Sequence, residues 1–307
     1  MTDEERREWI IDYLKGRGTS LDELPNAVRP FVAGEFLMLG GSVASCTANE
    51  GSDIDLFTFS DRPIDLAPSL TIIEGIDCEE VFYRSNGPLI AFEIYPCSMM
   101  NRAASKMTYM TDEFFMASTD DLTNYKQILL EDDICEVLHR VKTGLCIGGY
   151  NEVCDWKLRL KSDSLDQYLL YRNYTWFTLK LEDYWAQEGT GNTGTGLLMF
   201  RSVVRSLIFT YMNACGYTNC RDKWQVRMLD MSATQTQATA TALRSLLLDT
   251  DTTSVFADVT KERLLQVAQA IRQMAHRVAR FPRLEIEFGR PNSRWDRVIG
   301  RLGPRTA

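Results

Sequence analysis

Histidine is scarce in this sequence, with only two among 307 residues. The eight cysteines are dispersed along the chain, and no two of them form a Cys-x-x-Cys pair. Zinc sites and redox dithiols depend on such spacings, and disulfide frameworks belong mainly to short secreted chains. The sequence therefore gives no indication of a zinc site or of a disulfide framework, and we expect its cysteines to be reduced.

Long apolar runs are also missing. No stretch approaches the roughly 20 residues that a membrane-spanning helix needs, and the opening residues Met-Thr-Asp-Glu-Glu-Arg-Arg-Glu lack the apolar core of a signal peptide. We therefore expect a cytoplasmic protein without a membrane partner. With 45% hydrophobic and 25% charged residues, the composition is that of a globular protein, and 307 residues suffice for two domains.

The chain also lacks an overall excess of basic residues, since its formal net charge is −8. Affinity for nucleic acid depends on neutralising many phosphates, so this balance argues against a nucleic-acid partner. Only the C-terminal end differs, because nine arginines face three acidic residues there from residue 272 onwards. Such a run is usually a solvated helix and tail or docks on an acidic surface of the same protein, and a polyanion-binding arm is the alternative.

The most informative segment lies between residues 39 and 56. A small turn that ends in Gly41 and Ser42 is followed, after ten residues, by Asp53 and Asp55 in an apolar run. Strand side chains alternate between faces, so both aspartates should project to one side. Two crowded carboxylates repel, which indicates a cation between them, and Mg²⁺ accepts such ligands together with phosphate and water. Because glycine lets the backbone approach a ligand, the turn is a candidate triphosphate site.

These residues also carry a family resemblance. Gly41-Ser42, a spacer and Asp53-Ile54-Asp55 resemble the signature of the DNA polymerase beta-like nucleotidyltransferase superfamily. The fuller form, Gly-Ser-x-Ala with Ser-Asp-Ile-Asp-Leu at the far end, is most similar to the aminoglycoside and other small-molecule nucleotidyltransferases of that superfamily. Many relatives carry Arg-Gly where this chain has Ser45-Cys46, so the loop between the two halves of the motif departs from the pattern.

The resemblance implies a third metal-binding carboxylate on a neighbouring strand. Residues 89–95 are strand-like, and turn-forming residues separate them from a second strand-like segment at 76–83, which predicts a hairpin. Glu93 stands inside the apolar segment, where an unpaired acid would be costly. We therefore predict Glu93 to be the third carboxylate. Asp77 and Glu79, which alternate along the preceding strand, are the alternatives.

The order of the remaining elements predicts an α+β fold with two domains. Residues 1–145 begin with a helix and continue with short strands, which predicts a small mixed β-sheet; the resemblance implies that this is a palm-like nucleotidyltransferase domain. Residues 146–307 carry apolar residues at helical intervals and predict an α-helical bundle that ends in the basic tail; the resemblance implies that this bundle binds substrate. This order is similar to that of the aminoglycoside nucleotidyltransferases, and the resemblance implies that Lys223 contacts the triphosphate.

The resemblance implies a nucleotidyltransferase that moves AMP from ATP, or another nucleoside monophosphate from its triphosphate, to a hydroxyl of a small molecule such as an aminoglycoside-like antibiotic or a metabolite. Pyrophosphate is the second product, and two Mg²⁺ ions are the expected cofactors. An RNA or protein acceptor, as in a toxin-like system, and a nucleotide-binding module without catalysis are the alternatives. The expected metal-binding and catalytic residues are Asp53, Asp55 and Glu93, and the expected nucleotide-binding residues are Gly41, Ser42 and Lys223. The sequence does not indicate the oligomeric state.

Overall fold

The structure is a computed structural model of the chain, and it describes residues 2–28, 36–61, 71–75, 78–83, 88–117, 129–219, 221 and 225–289. The chain divides into two compact units. The first comprises Met1–Tyr109 and Lys126–Asp163, and the second comprises Met110–Tyr125 and Ser164–Ala307.

A mixed six-stranded sheet organises the first unit, with the strand order β3-β4-β5-β2-β1-β6. Strands β2 and β5 run parallel, whereas the other neighbouring pairs are antiparallel. The predicted α+β class with a small mixed sheet is therefore confirmed. The strands are β1 (Leu37–Leu39), β2 (Ile54–Phe59), β3 (Thr71–Gly75), β4 (Cys78–Tyr83), β5 (Ile90–Tyr95) and β6 (Leu145–Gly148).

Both faces of this sheet carry buried apolar residues, such as Phe57 and Phe59 on one face and Ile54 and Leu56 on the other. One hydrophobic cluster is built from alternate residues of β1, β2 and β5. These residues pack with the helices α1 (Asp3–Gly16), α2 (Leu24–Val28) and α3 (Gly41–Ala44). Helix α1 begins with the capping box that the sequence predicts, in which Thr2 and Glu5 exchange hydrogen bonds. The strand residues on the core face are Leu37, Leu39, Ile54, Leu56, Ile90, Phe92 and Ile94.

Three further helices complete the first unit: α4 (Cys97–Tyr109), α5 (Asp132–Thr143) and α6 (Tyr150–Arg159). The sheet continues beyond the predicted domain boundary at residue 145, because β6 begins there and pairs with β1. All four residues of β6 are half-buried. The four residues of β6 show no alternation of apolar and polar side chains. The sequence pattern therefore did not predict this strand.

The second unit is helical, which agrees with the predicted helical region after the sheet. A π-helical turn at Met110–Phe114 precedes long helices whose buried faces hold large aromatic side chains such as Tyr168, Tyr174 and Tyr184. In the described residues, no helix is long and apolar enough to cross a membrane. The helices are α7 (Leu165–Glu188), α8 (Thr193–Ala214), α9 (Gln225–Asp249), α10 (Asp258–Val278) and α11 (Pro282–Gly289).

Helix α9 is longer than the sequence pattern predicts. The apolar periodicity begins near residue 236, whereas the helix begins at Gln225. The backbone at Thr236 leaves helical geometry, with φ −152° and ψ 62°, so two helical segments meet there at a kink. The Thr236 hydroxyl is 2.6 Å from the Tyr211 hydroxyl of α8. The periodic pattern therefore identified only the segment that follows the kink.

Candidate active site

The glycine turn connects β1 to α3 and is tied to β2. The Gly40 amide donates a hydrogen bond of 2.8 Å to the backbone carbonyl of Asp55. On the other side of the turn, the Thr47 amide donates to the Ser42 carbonyl at 2.8 Å. Gly41 has φ +60°, a conformation that residues with a Cβ rarely adopt. The turn is thus fixed by backbone hydrogen bonds and by a glycine-specific conformation.

Asp55 lies directly against this turn. A Cβ added to Gly41 would stand 1.7 Å from the Asp55 Oδ2 atom and 2.4 Å from its Cγ atom. No larger side chain fits between the turn and the carboxylate, so space as well as backbone conformation requires glycine at this position. The structure thereby brings together two parts of the motif that are fourteen residues apart in the chain.

Asp53 and Asp55 flank a core residue at the start of β2. Asp53 immediately precedes the strand, and Asp55 is its second residue; both are half-buried. Ile54 between them is fully buried in the core. Because side chains alternate along a strand, the two aspartates belong to the face opposite that core. Both aspartates are partly exposed, and Asp55 lies beside the glycine turn.

Glu93 stands on the same face as Asp55 but has different surroundings. In the register of β2 and β5, Asp55 pairs with Ala91 and Phe57 pairs with Glu93, so the two acids are two residue pairs apart. Glu93 is buried, with 7% of its surface exposed. Its Oε2 atom accepts hydrogen bonds from the Tyr95 hydroxyl and the Arg140 guanidinium.

Arg140 of α5 is the centre of this buried cluster. Its guanidinium also donates to the Tyr95 hydroxyl at 3.2 Å and to the Glu136 carboxylate at 2.8 Å. Burial alone would lower the pKa of Arg140, but the neighbouring Tyr95, Glu93 and Glu136 outweigh it and hold that pKa above its ordinary value. Arg140 therefore remains a cation throughout the working pH range.

The buried carboxylate of Glu93 on β5 is thus paired with the guanidinium of Arg140. Across the described residues, no group of three or more His, Cys, Asp or Glu side chains is gathered closely enough to hold a metal ion. The predicted role of Glu93 as third metal ligand stays a prediction. Glu79 stands opposite Ile94 in the register of β4 and β5. Asp77 and Lys223 lie outside the described residues.

Arg140 and Tyr95 are the residues of this region that sequence reasoning missed. The signal for Arg140 was present, because it falls in α5 among buried apolar residues such as Val137 and Val141. A buried arginine requires an anionic partner. The pattern does not say which acid that partner is, since Arg140 and Glu93 are separated by 47 positions.

The chain matches no protein-family model and no curated protein. Among solved structures, it is similar to the crystal structure of a nucleotidyltransferase-like protein from Exiguobacterium sibiricum, with 11% sequence identity and a TM-score of 0.42. The similarity covers 87% of this chain and 78% of that chain. A likeness at this level leaves the function to be judged from the chemistry of the site.

Proposed function

We propose that this chain is a metal-dependent nucleotidyltransferase that moves a nucleoside monophosphate, AMP from ATP, to a hydroxyl group of a small molecule and releases pyrophosphate. The contact of the Asp55 carboxylate with the backbone of Gly41 carries this proposal. It places an acid suited to a divalent cation beside a turn that a polyphosphate can approach closely.

The turn would bind the triphosphate. Ser42 is half-buried in the turn, and its amide and hydroxyl are the donors that we expect to bind phosphate oxygens. Concave turns with such amides bind phosphate oxygens. Lys223, which the family resemblance implies, remains the candidate for the β- and γ-phosphates.

Asp53 and Asp55 fit a magnesium ion. Their carboxylates are hard oxygen ligands, and their partial exposure leaves room for the water and phosphate oxygens that Mg²⁺ retains. A bound divalent cation would offset negative charge on the phosphates and lower the pKa of an acceptor hydroxyl. The chain itself contributes positioning, because β2 and the hydrogen bond from Gly40 hold Asp55 at a fixed place beside the turn.

A small, cationic acceptor suits this protein best. The net charge of −8 favours the approach of positively charged molecules, such as aminoglycosides, over that of polyanions. The acceptor provides the hydroxyl oxygen that forms a bond to the α-phosphorus, while the bond from that phosphorus to the pyrophosphate oxygen breaks. The acceptor proton passes to solvent or to a nearby base.

The proposal is tested by incubating the chain with α-labelled ATP, Mg²⁺ and separate pools of antibiotics, metabolites, transfer RNA and proteins. We expect label on small molecules, with one pyrophosphate released per label transferred. Asp55→Asn should reduce transfer by at least about 100-fold, by analogy with the loss of one charge-stabilising group elsewhere. Glu50→Gln is the matched control, because Glu50 is an exposed acid in the same motif.

Two results would contradict the proposal in different ways. Label that appears only on RNA or protein would contradict the proposed small-molecule acceptor. The proposed transferase activity would still hold. Nucleotide binding without any Mg²⁺ dependence, and without pyrophosphate release in any pool, would identify a binding module that lacks catalysis.

A further inference from the structure

We infer that this site takes a single divalent cation, held by Asp53 and Asp55, and that Arg140 supplies the positive charge that neutralises Glu93. The inference rests on the proposed function, which places a cation at the aspartates. It differs from the two-ion site that the family resemblance implies, because Glu93 is then half of a permanent ion pair instead of a metal ligand.

The contacts of Glu93 carry the first step. Both Tyr95 and Arg140 bind its Oε2 atom, and the side chains of Glu93 and Arg140 are only 9% and 6% exposed. A buried ion pair with additional hydrogen bonds is difficult to open, because separation of the two side chains would leave a buried charge without a partner. Recruiting the Oε2 atom of Glu93 as a ligand would require that opening.

The charge of Arg140 carries the second step. A guanidinium does not lose its proton in proteins, so this cation cannot be neutralised to make room for a metal ion. A divalent cation on the other oxygen of Glu93 would share one carboxylate with the guanidinium, and two cations at such close range repel each other. Asp55, by contrast, is half-buried and stands two residue pairs away from Glu93 in the register.

The third step is that Arg140 is anchored at its guanidinium and at its backbone. Its guanidinium bridges Glu93 and Glu136. Its backbone carbonyl accepts a hydrogen bond from the Gly144 amide at 2.6 Å. Because both ends of the residue are fixed, a swing of Arg140 away from Glu93 would break several contacts at once.

Manganese(II) binding counts the ions directly. The purified chain is titrated with Mn²⁺ alone, and free Mn²⁺ is measured by electron paramagnetic resonance. We expect one Mn²⁺ per chain, with an affinity that falls by about 100-fold in Asp55→Asn, which is at the upper end for loss of a group that supports a metal. Glu93→Gln should bind one Mn²⁺ with unchanged affinity, as should the control Glu50→Gln.

Glu93→Gln leaves Arg140 partly unpaired and is at risk of misfolding. The double variant Glu93→Gln/Arg140→Met removes both charges together, and circular dichroism shows whether each variant is folded. One Mn²⁺ in the folded double variant supports the inference. Two Mn²⁺ ions in the wild-type chain, no Mn²⁺ in the wild-type chain, or loss of Mn²⁺ from the folded double variant would overturn it.

The nucleotide-transfer assay on the same preparation separates this inference from the proposed function. Transfer of AMP together with binding of two Mn²⁺ ions would support the proposed function and contradict the single-ion site. Binding of one Mn²⁺ through Asp55 without nucleotide transfer would support the single-ion site and contradict the proposed function.

Discussion

Asp55 and Glu93 project from the same face of one sheet, two residue pairs apart in the register of β2 and β5, and their surroundings differ sharply. Asp55 is half-buried and lies against a glycine turn. Glu93 is buried, and Tyr95 and Arg140 bind its carboxylate. A carboxylate that solvent reaches and a closed ion pair therefore lie side by side.

This difference shows why an acid in an apolar strand is an ambiguous signal. A buried carboxylate needs a compensating charge or hydrogen bonds, and a metal ion and an arginine both supply positive charge. Asp55 is distinguished by its neighbour Gly41, which is encoded in the same short motif. Glu93 is distinguished by Arg140, which reaches it only through the packing of α5 on the sheet.

The largest effect that we expect from breaking this contrast is on folding stability. In Arg140→Met, the Glu93 carboxylate remains buried without its cation, and the free energy of unfolding should fall by about 3–5 kcal/mol. In Glu93→Gln/Arg140→Met both charges are gone, and most of that stability should return. Urea denaturation at neutral pH measures both variants.

An exposed ion pair provides the control for that measurement. Arg244 pairs with Asp230 at 2.8 Å, and both side chains are about half exposed. Arg244→Met should therefore cost less than about 1 kcal/mol. If Arg140→Met were no more destabilising than Arg244→Met, the buried pair would not be a strong constraint and the contrast between Glu93 and Asp55 would weaken.

The opposite pattern is expected for Asp55→Asn. This change should remove nucleotide transfer, and it should alter the free energy of unfolding by less than about 1 kcal/mol, because the side chain is only partly buried. Relief of the repulsion from Asp53 could even raise stability, as is common when a functional site is disabled. Thermal denaturation in the absence of divalent cations measures this, and a loss as large as that of Arg140→Met would assign Asp55 a structural role.

The sequence predicted the elements whose patterns are local. Helix α1 with its capping box, the hairpin of β4 and β5, and the helical second unit all follow from residues close together in the chain. The proximity of Asp55 to Gly41 was also expected, because the motif joins them by a short spacer. Strands β3 and β6 and the first part of α9 were not predicted, since their sequences carry little alternation or periodicity. The partner of Glu93 is a tertiary feature that no local pattern contains.

Gly41→Ala should cost less stability than Arg140→Met. Comparison with a control glycine shows how much of its effect comes from lack of space and how much from the backbone conformation. The new Cβ would collide with the Asp55 carboxylate and would also occupy a backbone with φ +60°. We expect a loss of about 1–3 kcal/mol in stability together with a loss of nucleotide transfer. Gly18→Ala is the matched control, since Gly18 has φ +74° and nothing within 4 Å of the added Cβ. If both variants kept full activity, Asp55 would not depend on its place beside the turn.

A small effect on stability alone is expected from the opposite face of the sheet. Thr2→Ala removes the hydroxyl that accepts a hydrogen bond from the Glu5 amide at the start of α1, and loss of such a cap costs about 1 kcal/mol. Because α1 packs on the core face, this change should lower the free energy of unfolding without altering Mn²⁺ affinity. Urea denaturation and a Mn²⁺ titration on the same sample test both statements. A shift in Mn²⁺ affinity would show that the face on which α1 packs and the face that carries Asp55 are coupled. It would contradict the prediction that Thr2→Ala affects stability alone.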